Sequence, residues 1–198
     1  MVIDALGSVL FWIGVAIILW HSPLILRYFY VRIFCKGMSN MRTAPEIGLK
    51  MADLIRIDMA TKGKSETGYR VIDLGSAWGY LSCDLAGALP TAAFLGVDCD
   101  PGGVRFSRAL AKRRGLKNVV FEVSDFFKRE DIAQFDAIVY YLPDYLMAPM
   151  GEFLREKAAP GTLILANRFQ LEAGWTPEEV VMVETKFPRQ GRLNVYRR

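Results

Sequence analysis

The chain has 198 residues, enough for one domain with a substantial core and a short appendage. Its only histidine, His21, and its three cysteines, Cys35, Cys83 and Cys99, which lack C-x-x-C spacing, argue against a histidine general base, a histidine-ligated metal, a zinc site and a disulfide framework. A net charge of +4 and a pI near 9.0 permit nucleic-acid binding without calling for it, because the surplus lies mainly in residues 27–42 and at the extreme C-terminus.

The hydrophobic content of 52% is high for a soluble domain, and the excess sits at the front of the chain. From Ala5 to Trp20 there is no charge, and Leu24-Ile25-Leu26 prolongs the apolar stretch past His21, Ser22 and Pro23 to Arg27. A helix of about 20 such residues spans a hydrocarbon core of roughly 30 Å. Trp12, Trp20, Tyr28 and Tyr30 supply interfacial anchors. Asp4 replaces the basic start of a signal peptide, no A-x-A-like cleavage site follows, and the segment is not Arg- and Ser-rich like a transit peptide. Residues 1–26 are therefore expected to form one retained transmembrane anchor, with a monotopic or buried helix as the alternative. Arg27, Arg32, Lys36 and Arg42 then mark residues 27–42 as a basic juxtamembrane linker, suited to anionic headgroups. The positive-inside rule places the following domain on the cytoplasmic side, or its organellar equivalent.

Residues 43–198 read as one domain. Thr43-Ala44-Pro45-Glu46 carries a helix-start signature, and the apolar positions predict a helix from there to about Thr61. After the polar loop 62–68, predicted strands at 69–74, 93–98, 118–123, 135–141 and 161–167 alternate with predicted helices at about 79–88, 102–115 and 145–158. Such alternation specifies an α/β fold with a mostly parallel sheet covered on both faces. Val180 to Lys186 and Leu193 to Tyr196 follow without a full helix between them, which predicts a C-terminal antiparallel hairpin and seven strands in all.

In such a sheet ligands bind beyond the carboxyl ends of the strands, which places Asp73, Gly75, Asp98, Asp125, Tyr140 and Tyr141 along one rim. Asp73 ends an apolar run and opens the small-residue loop Gly75-Ser76-Ala77-Trp78-Gly79. A dinucleotide fold needs G-x-G-x-x-G, but the last of those positions is Tyr80 here, and the small residues fall at 75, 77 and 79. This spacing resembles the first motif, D/E-x-G-x-G-x-G, of class I S-adenosylmethionine-dependent methyltransferases. Ala77 replaces the middle glycine, a mild change unless that residue needs positive φ.

The resemblance implies a Rossmann-like fold and S-adenosylmethionine as cofactor, with no metal. Gly75, Ser76, Ala77 and Gly79 would approach its methionyl part, while Asp73 would orient the loop or receive the ammonium through water. Asp98 would accept hydrogen bonds from both ribose hydroxyls. Asp125 would contact the adenine amino group or cap a helix, and Phe126 would stack on the base or belong to the core. Tyr140 or Tyr141 would hold or cover an amine nucleophile, or merely pack in the sheet; Asp144 would attract a cationic lysine, or cap a helix. An N-P-P-Y-type signature is absent after the fourth strand.

The order Asp73-Leu74-Gly75-Ser76, Gly96-Val97-Asp98, Asp125-Phe126-Phe127-Lys128, Leu142-Pro143-Asp144-Tyr145-Leu146-Met147, Arg168-Phe169 with Trp175-Thr176-Pro177, and Val195-Tyr196 is similar over nearly the whole chain to the small membrane-anchored protein-lysine methyltransferases. Known members of that family act on the ATP synthase c subunit and the adenine nucleotide translocase. The resemblance implies a lysine ε-amine on a membrane protein as acceptor, contact with the bilayer through the N-terminal helix and no nucleic-acid partner. A lipid or quinone acceptor, or a cofactor-binding scaffold without turnover, are the alternatives. The chain departs from the family at Ala77-Trp78-Gly79-Tyr80, where Gly-Asp-Gly-Arg is usual. Arg168 is expected to position a substrate or a loop, or to form an ion pair.

Overall fold

A computed structural model describes residues 2–34, 42–65, 67–172, 174–186 and 191–198; within the first helix the side chains described are those of 10–23, 26, 29 and 30. The chain divides into two units, Met1–Met38 and Ser39–Arg198. The first is one helix, α1 (Val2–Phe34), with Pro23 inside it. Residues 27–34, read above as linker, are thus helical, and 35–41 lie outside the described residues. Among the described residues no helix is long and apolar enough to cross a membrane. Leu10, Phe11, Trp12, Ile18, Leu19 and Trp20 of α1 are exposed.

The second unit begins with α2 (Pro45–Thr61), which buries Ile47, Met51, Ile55 and Met59, a stripe of every fourth residue along one face. Pro45 occupies the first turn, where its missing N–H costs nothing. Ala44 is the capping position and makes no side-chain bond, so the hydroxyl of Thr43 is not the cap.

Seven strands follow: β1 (Arg70–Leu74), β2 (Ala93–Asp98), β3 (Val119–Val123), β4 (Ala137–Tyr140), β5 (Leu163–Asn167), β6 (Glu179–Met182) and β7 (Arg192–Arg197). Their order in the sheet is β3-β2-β1-β4-β5-β7-β6. The first five pair in parallel, and β7 runs antiparallel to both β5 and β6. Helices α3 (Tyr80–Ala88), α4 (Pro101–Arg113) and α5 (Met147–Lys157) connect the parallel strands, as parallel neighbours require a crossover. Short 3₁₀ turns at Phe126–Lys128 and Ile132–Gln134 lie between β3 and β4, and a third at Asp144–Leu146 leads into α5.

Alternation along the strands divides the core. Val71, Val139, Leu165, Leu193 and Val195 cluster with α2, α3 and α4 on one face. On the other, Trp175 ties α5 to β7: its Nε1 donates to the Gly151 carbonyl at 2.9 Å and its ring lies edge-on to Tyr196 at 5.9 Å. The Trp-x-Pro motif thus clamps the layer beneath the sheet. At the amino edge, the buried carboxylate of Asp58 receives Lys62 Nζ at 2.8 Å, Tyr69 Oη at 2.5 Å and Arg197 Nη1 at 2.7 Å. Burial pushes the Asp58 pKa up, but these three donors outweigh it and hold the group below the usual carboxylate range. Cys83 is a free buried thiol.

Candidate active site

The sheet order reverses between β1 and β4, and a cavity opens at the carboxyl ends of those strands, where open α/β sheets bind their ligands. It encloses about 650 Å³ including its mouth, and its walls are Asp73, Gly75, Ser76, Ala77, Trp78, Tyr80, Leu81 and Tyr141, with Arg42 and Thr43 ahead of α2.

The loop between β1 and α3 takes its shape from three left-handed residues in alternation, Gly75 at φ +80°, Ala77 at +49° and Gly79 at +71°. Ala77 therefore holds the conformation that its methyl disfavours, at a cost of about 1–2 kcal/mol. The substitution that looked mild in sequence is a strained one. Gly79 is required for close approach as well: a Cβ there would lie 2.4 Å from Ser107 Cβ and 2.8 Å from the Phe121 ring. Trp78, in place of the family's acidic residue, packs its ring 4.7 Å from Phe106.

Asp73 is 4% exposed and accepts a 2.5 Å hydrogen bond from Ser82 Oγ. Burial pushes its pKa up to about 7; Ser82 opposes the rise and the nearby Asp98 adds to it. Asp98, at the tip of β2, does not line the cavity but braces it. Its Oδ2 accepts the Ala77 N–H and its Oδ1 the Asp100 N–H, each at 2.8 Å. One carboxylate thus holds the β1–α3 loop against the start of α4. Burial raises its pKa, and those backbone donors pull it back.

Of the residues predicted for the site, Asp73, Gly75, Ser76, Ala77 and Tyr141 come together around the cavity. Gly79, Asp98, Asp125, Phe126, Tyr140 and Asp144 are not in its walls. Asp125 is exposed and caps the turn at Phe126 by accepting the Phe127 N–H at 3.1 Å. Phe126 is 3% exposed and packs 4.6 Å from the Phe127 ring, the core reading of that residue. Tyr140 is fully buried on the face opposite Asp73, and burial raises its pKa well above the ordinary phenol value. Asp144 is exposed and accepts the N–H of Tyr145.

Arg42, Thr43, Trp78, Tyr80 and Leu81 were missed. Arg42 had been read as part of the linker, yet its guanidinium stacks over the Tyr80 ring at 4.3 Å and both line the cavity. The helix-start signature just after it was the available signal, since a docked helix brings its preceding residues with it. Arg168 has φ +71° and its guanidinium lies 4.6 Å from the Phe169 ring; no ion pair is recorded for it among the described residues.

The ANTKMT methyltransferase domain family matches residues 73–179, just over half of the chain. The chain belongs to that family. With the class I strand order it is an S-adenosylmethionine-dependent methyltransferase. No curated protein matches it. Among solved structures, an RNA methyltransferase from Salinibacter ruber in complex with S-adenosyl-L-homocysteine is 24% identical, with a TM-score of 0.57 over 73% of this chain and 88% of that one. TrmN from Thermus thermophilus is 21% identical, with a TM-score of 0.55 over 74% of this chain and 48% of its own. A SAM-dependent methyltransferase from Geobacter sulfurreducens, also in complex with S-adenosyl-L-homocysteine, is 20% identical, with a TM-score of 0.53 over 71% and 54%. At these identities the three speak for the fold.

Proposed function

We propose that this methyltransferase is a membrane-anchored protein-lysine methyltransferase whose cofactor occupies the cavity between β1 and β4. The observation that carries the placement is the pair of charges in its walls, Arg42 and Asp73, together with the left-handed loop that follows Asp73. The methionyl end of S-adenosylmethionine is a zwitterion, and a guanidinium suits its carboxylate while a carboxylate suits its ammonium. Ser76 Oγ, buried in the same wall and without a partner, has a hydrogen bond to give. In this reading Asp98 acts on the cofactor through the loop whose Ala77 N–H it holds.

The cofactor supplies a methyl group on a sulfonium that already leaves readily, so the chain's part is alignment of the acceptor. No histidine, metal or triad is needed for that, and the single histidine is His21 of α1. The family match supports a protein lysine as acceptor. The charge-free run from Ala5 to Trp20 and the exposed apolar side chains of α1 support an anchor in the bilayer. An anchor confines the enzyme to two dimensions and raises its effective concentration near membrane proteins, and the cations after it favour a cytoplasmic-side domain.

Incubating the protein with radiolabelled cofactor and its own membranes is expected to label a membrane protein on lysine. Label found only in lipid or RNA would end the lysine reading. The cavity assignment has its own test. Arg42→Met should weaken S-adenosylhomocysteine binding about tenfold to a hundredfold by calorimetry, and leave 5′-methylthioadenosine, which lacks the amino-acid end, unaffected. Equal losses for both ligands would show that Arg42 does not meet the carboxylate.

A further inference from the structure

Asn167 closes β5 at 1% exposure, and neither its Nδ2 nor its Oδ1 has a hydrogen-bond partner. A buried amide left unpaired forfeits the hydrogen bonds it had with water, and a native chain that keeps one calls for an explanation. Its position supplies a candidate. Tyr140 is in register with Ala166, so the next pair outward is Tyr141 and Asn167. Alternation puts both on the face of Val139 and Leu165, the face that α2 covers. Asp73, in register with Val139, shares it. Asp73, Tyr141 and Asn167 therefore share one face near the carboxyl ends of three adjacent strands, with Asp73 level with Val139 and one same-face position below Tyr141, and Asn167 lies one strand beyond the wall that Tyr141 provides.

The backbone after Asn167 is held in a strained form. Arg168, a non-glycine residue at φ +71°, donates its N–H to the Arg192 carbonyl at 2.7 Å. Asn194 Nδ2 donates to the carbonyls of Ala166, Arg168 and Phe169, each at 3.3 Å. This turn fixes the strand end and with it the amide.

A second buried acceptor belongs to the same end of the sheet. Glu46 Oε2 has no partner. Asp58, near the last turn of α2, bonds Arg197, which is in register with Leu163 at the start of β5. The first turns of α2 therefore lie toward the end of β5, where Gly48 packs against Leu81 of the cavity wall.

We infer that Asn167 Oδ1 is the acceptor-positioning contact of the enzyme, receiving an N–H of the substrate amine behind Tyr141, with the Glu46 carboxylate receiving a second. This rests on the lysine reading above. Once the ammonium has lost one proton to water, two N–H bonds so directed fix the nitrogen and leave its lone pair to form the new nitrogen–carbon bond as the methyl–sulfur bond of the sulfonium breaks and the thioether leaves. Tyr141, 9% exposed and in the cavity wall, would flank the methylene stem of the amine.

The full chain, saturated with S-adenosylhomocysteine and titrated with n-butylammonium, should show the Asn167 side-chain amide resonances moving. Those of Asn118, whose Nδ2 already donates to three carbonyls, should stay in place. A stationary Asn167 amide overturns the inference whatever the natural acceptor is. In methyl transfer to Nα-acetyl-lysine methylamide, Asn167→Leu should lower kcat/KM about tenfold to a hundredfold with cofactor affinity unchanged. Asn167→Asp, which keeps an acceptor oxygen, should recover most of that loss. Unchanged transfer in Asn167→Leu, or equal losses in both variants, also overturns it. Movement of the Asn167 amide in a wild-type protein that labels no lysine would instead retire the lysine reading and uphold the amine contact.

Discussion

Replacing Asp98 by alanine is expected to abolish cofactor binding and to cost about 3 kcal/mol of stability. The carboxylate is 7% exposed and is the shared acceptor for the backbone N–H groups of Ala77 and Asp100. Hydrogen bonds to a charged group contribute about 1.5–3 kcal/mol each, and relief from burying the charge offsets part of their loss. The functional effect is larger because Ala77 is already held at φ +49° against its own preference. With its N–H released, the residue is free to return to an ordinary conformation, and the loop that lines the cavity goes with it. Asp98→Asn, which keeps one acceptor oxygen, should fall between the two. Urea unfolding and calorimetry with S-adenosylhomocysteine read both quantities. Affinity within about threefold of wild type would show that the loop stands without this brace.

The stability of the protein is expected to fall between about pH 4 and pH 7 on account of Asp73. Its folded pKa is about 7, against 3.8 for the ordinary group, so in that interval the unfolded chain is ionised while the folded chain still carries the proton. A raised pKa means that the stabilising contribution is complete below the lower value and is lost as pH rises through the upper one. The full change is about 4 kcal/mol, at about 1.4 kcal/mol for each pH unit separating the two values. Asp73→Asn removes the titration and can keep the Ser82 hydrogen bond, so it should unfold with little slope over the same range and be the more stable form at pH 8. Parallel slopes for the two proteins would refute the assignment. A cofactor ammonium seated beside Asp73 would expel the proton, so affinity for S-adenosylhomocysteine should rise from pH 5 to pH 7 in the wild type and stay level in Asp73→Asn.

Most of the architecture was legible because short apolar runs, separated by helices with glycines near their ends, admit little besides a parallel sheet. The five parallel strands fall within their predicted spans, and the expected hairpin is present as β6 and β7. The site was legible where one local segment builds it: residues 73–77 follow from a strand running into a small-residue loop. It was obscure where distant segments meet. Arg42 and Thr43 reach the cavity only because α2 docks on the sheet, a tertiary fact with no mark at residue 42 itself. Asp98 satisfies the loop rather than facing the cavity, a choice made by backbone donors at 77 and 100. Tyr140 and Tyr141 are chemically alike in sequence, but strand alternation sends them to opposite faces and only Tyr141 shares that of Asp73. Parity with Asp73 would have separated them. Asn167 gave no signal at all, since an asparagine after four apolar residues reads as a strand ending.

The insertion of β7 between β5 and β6 also constrains how the protein comes off the ribosome. β6 pairs with β7 alone, and β5 waits for β7 on its outer side. Until residues 192–197 emerge, a nascent chain presents Leu163, Ile164 and Leu165 along an open strand edge, a template for pairing with other chains. Arrival of β7 caps that edge and at the same stroke delivers Arg197 to Asp58 on α2. Biogenesis therefore has a single late committing event, and shielding of the β5 edge is needed until it occurs.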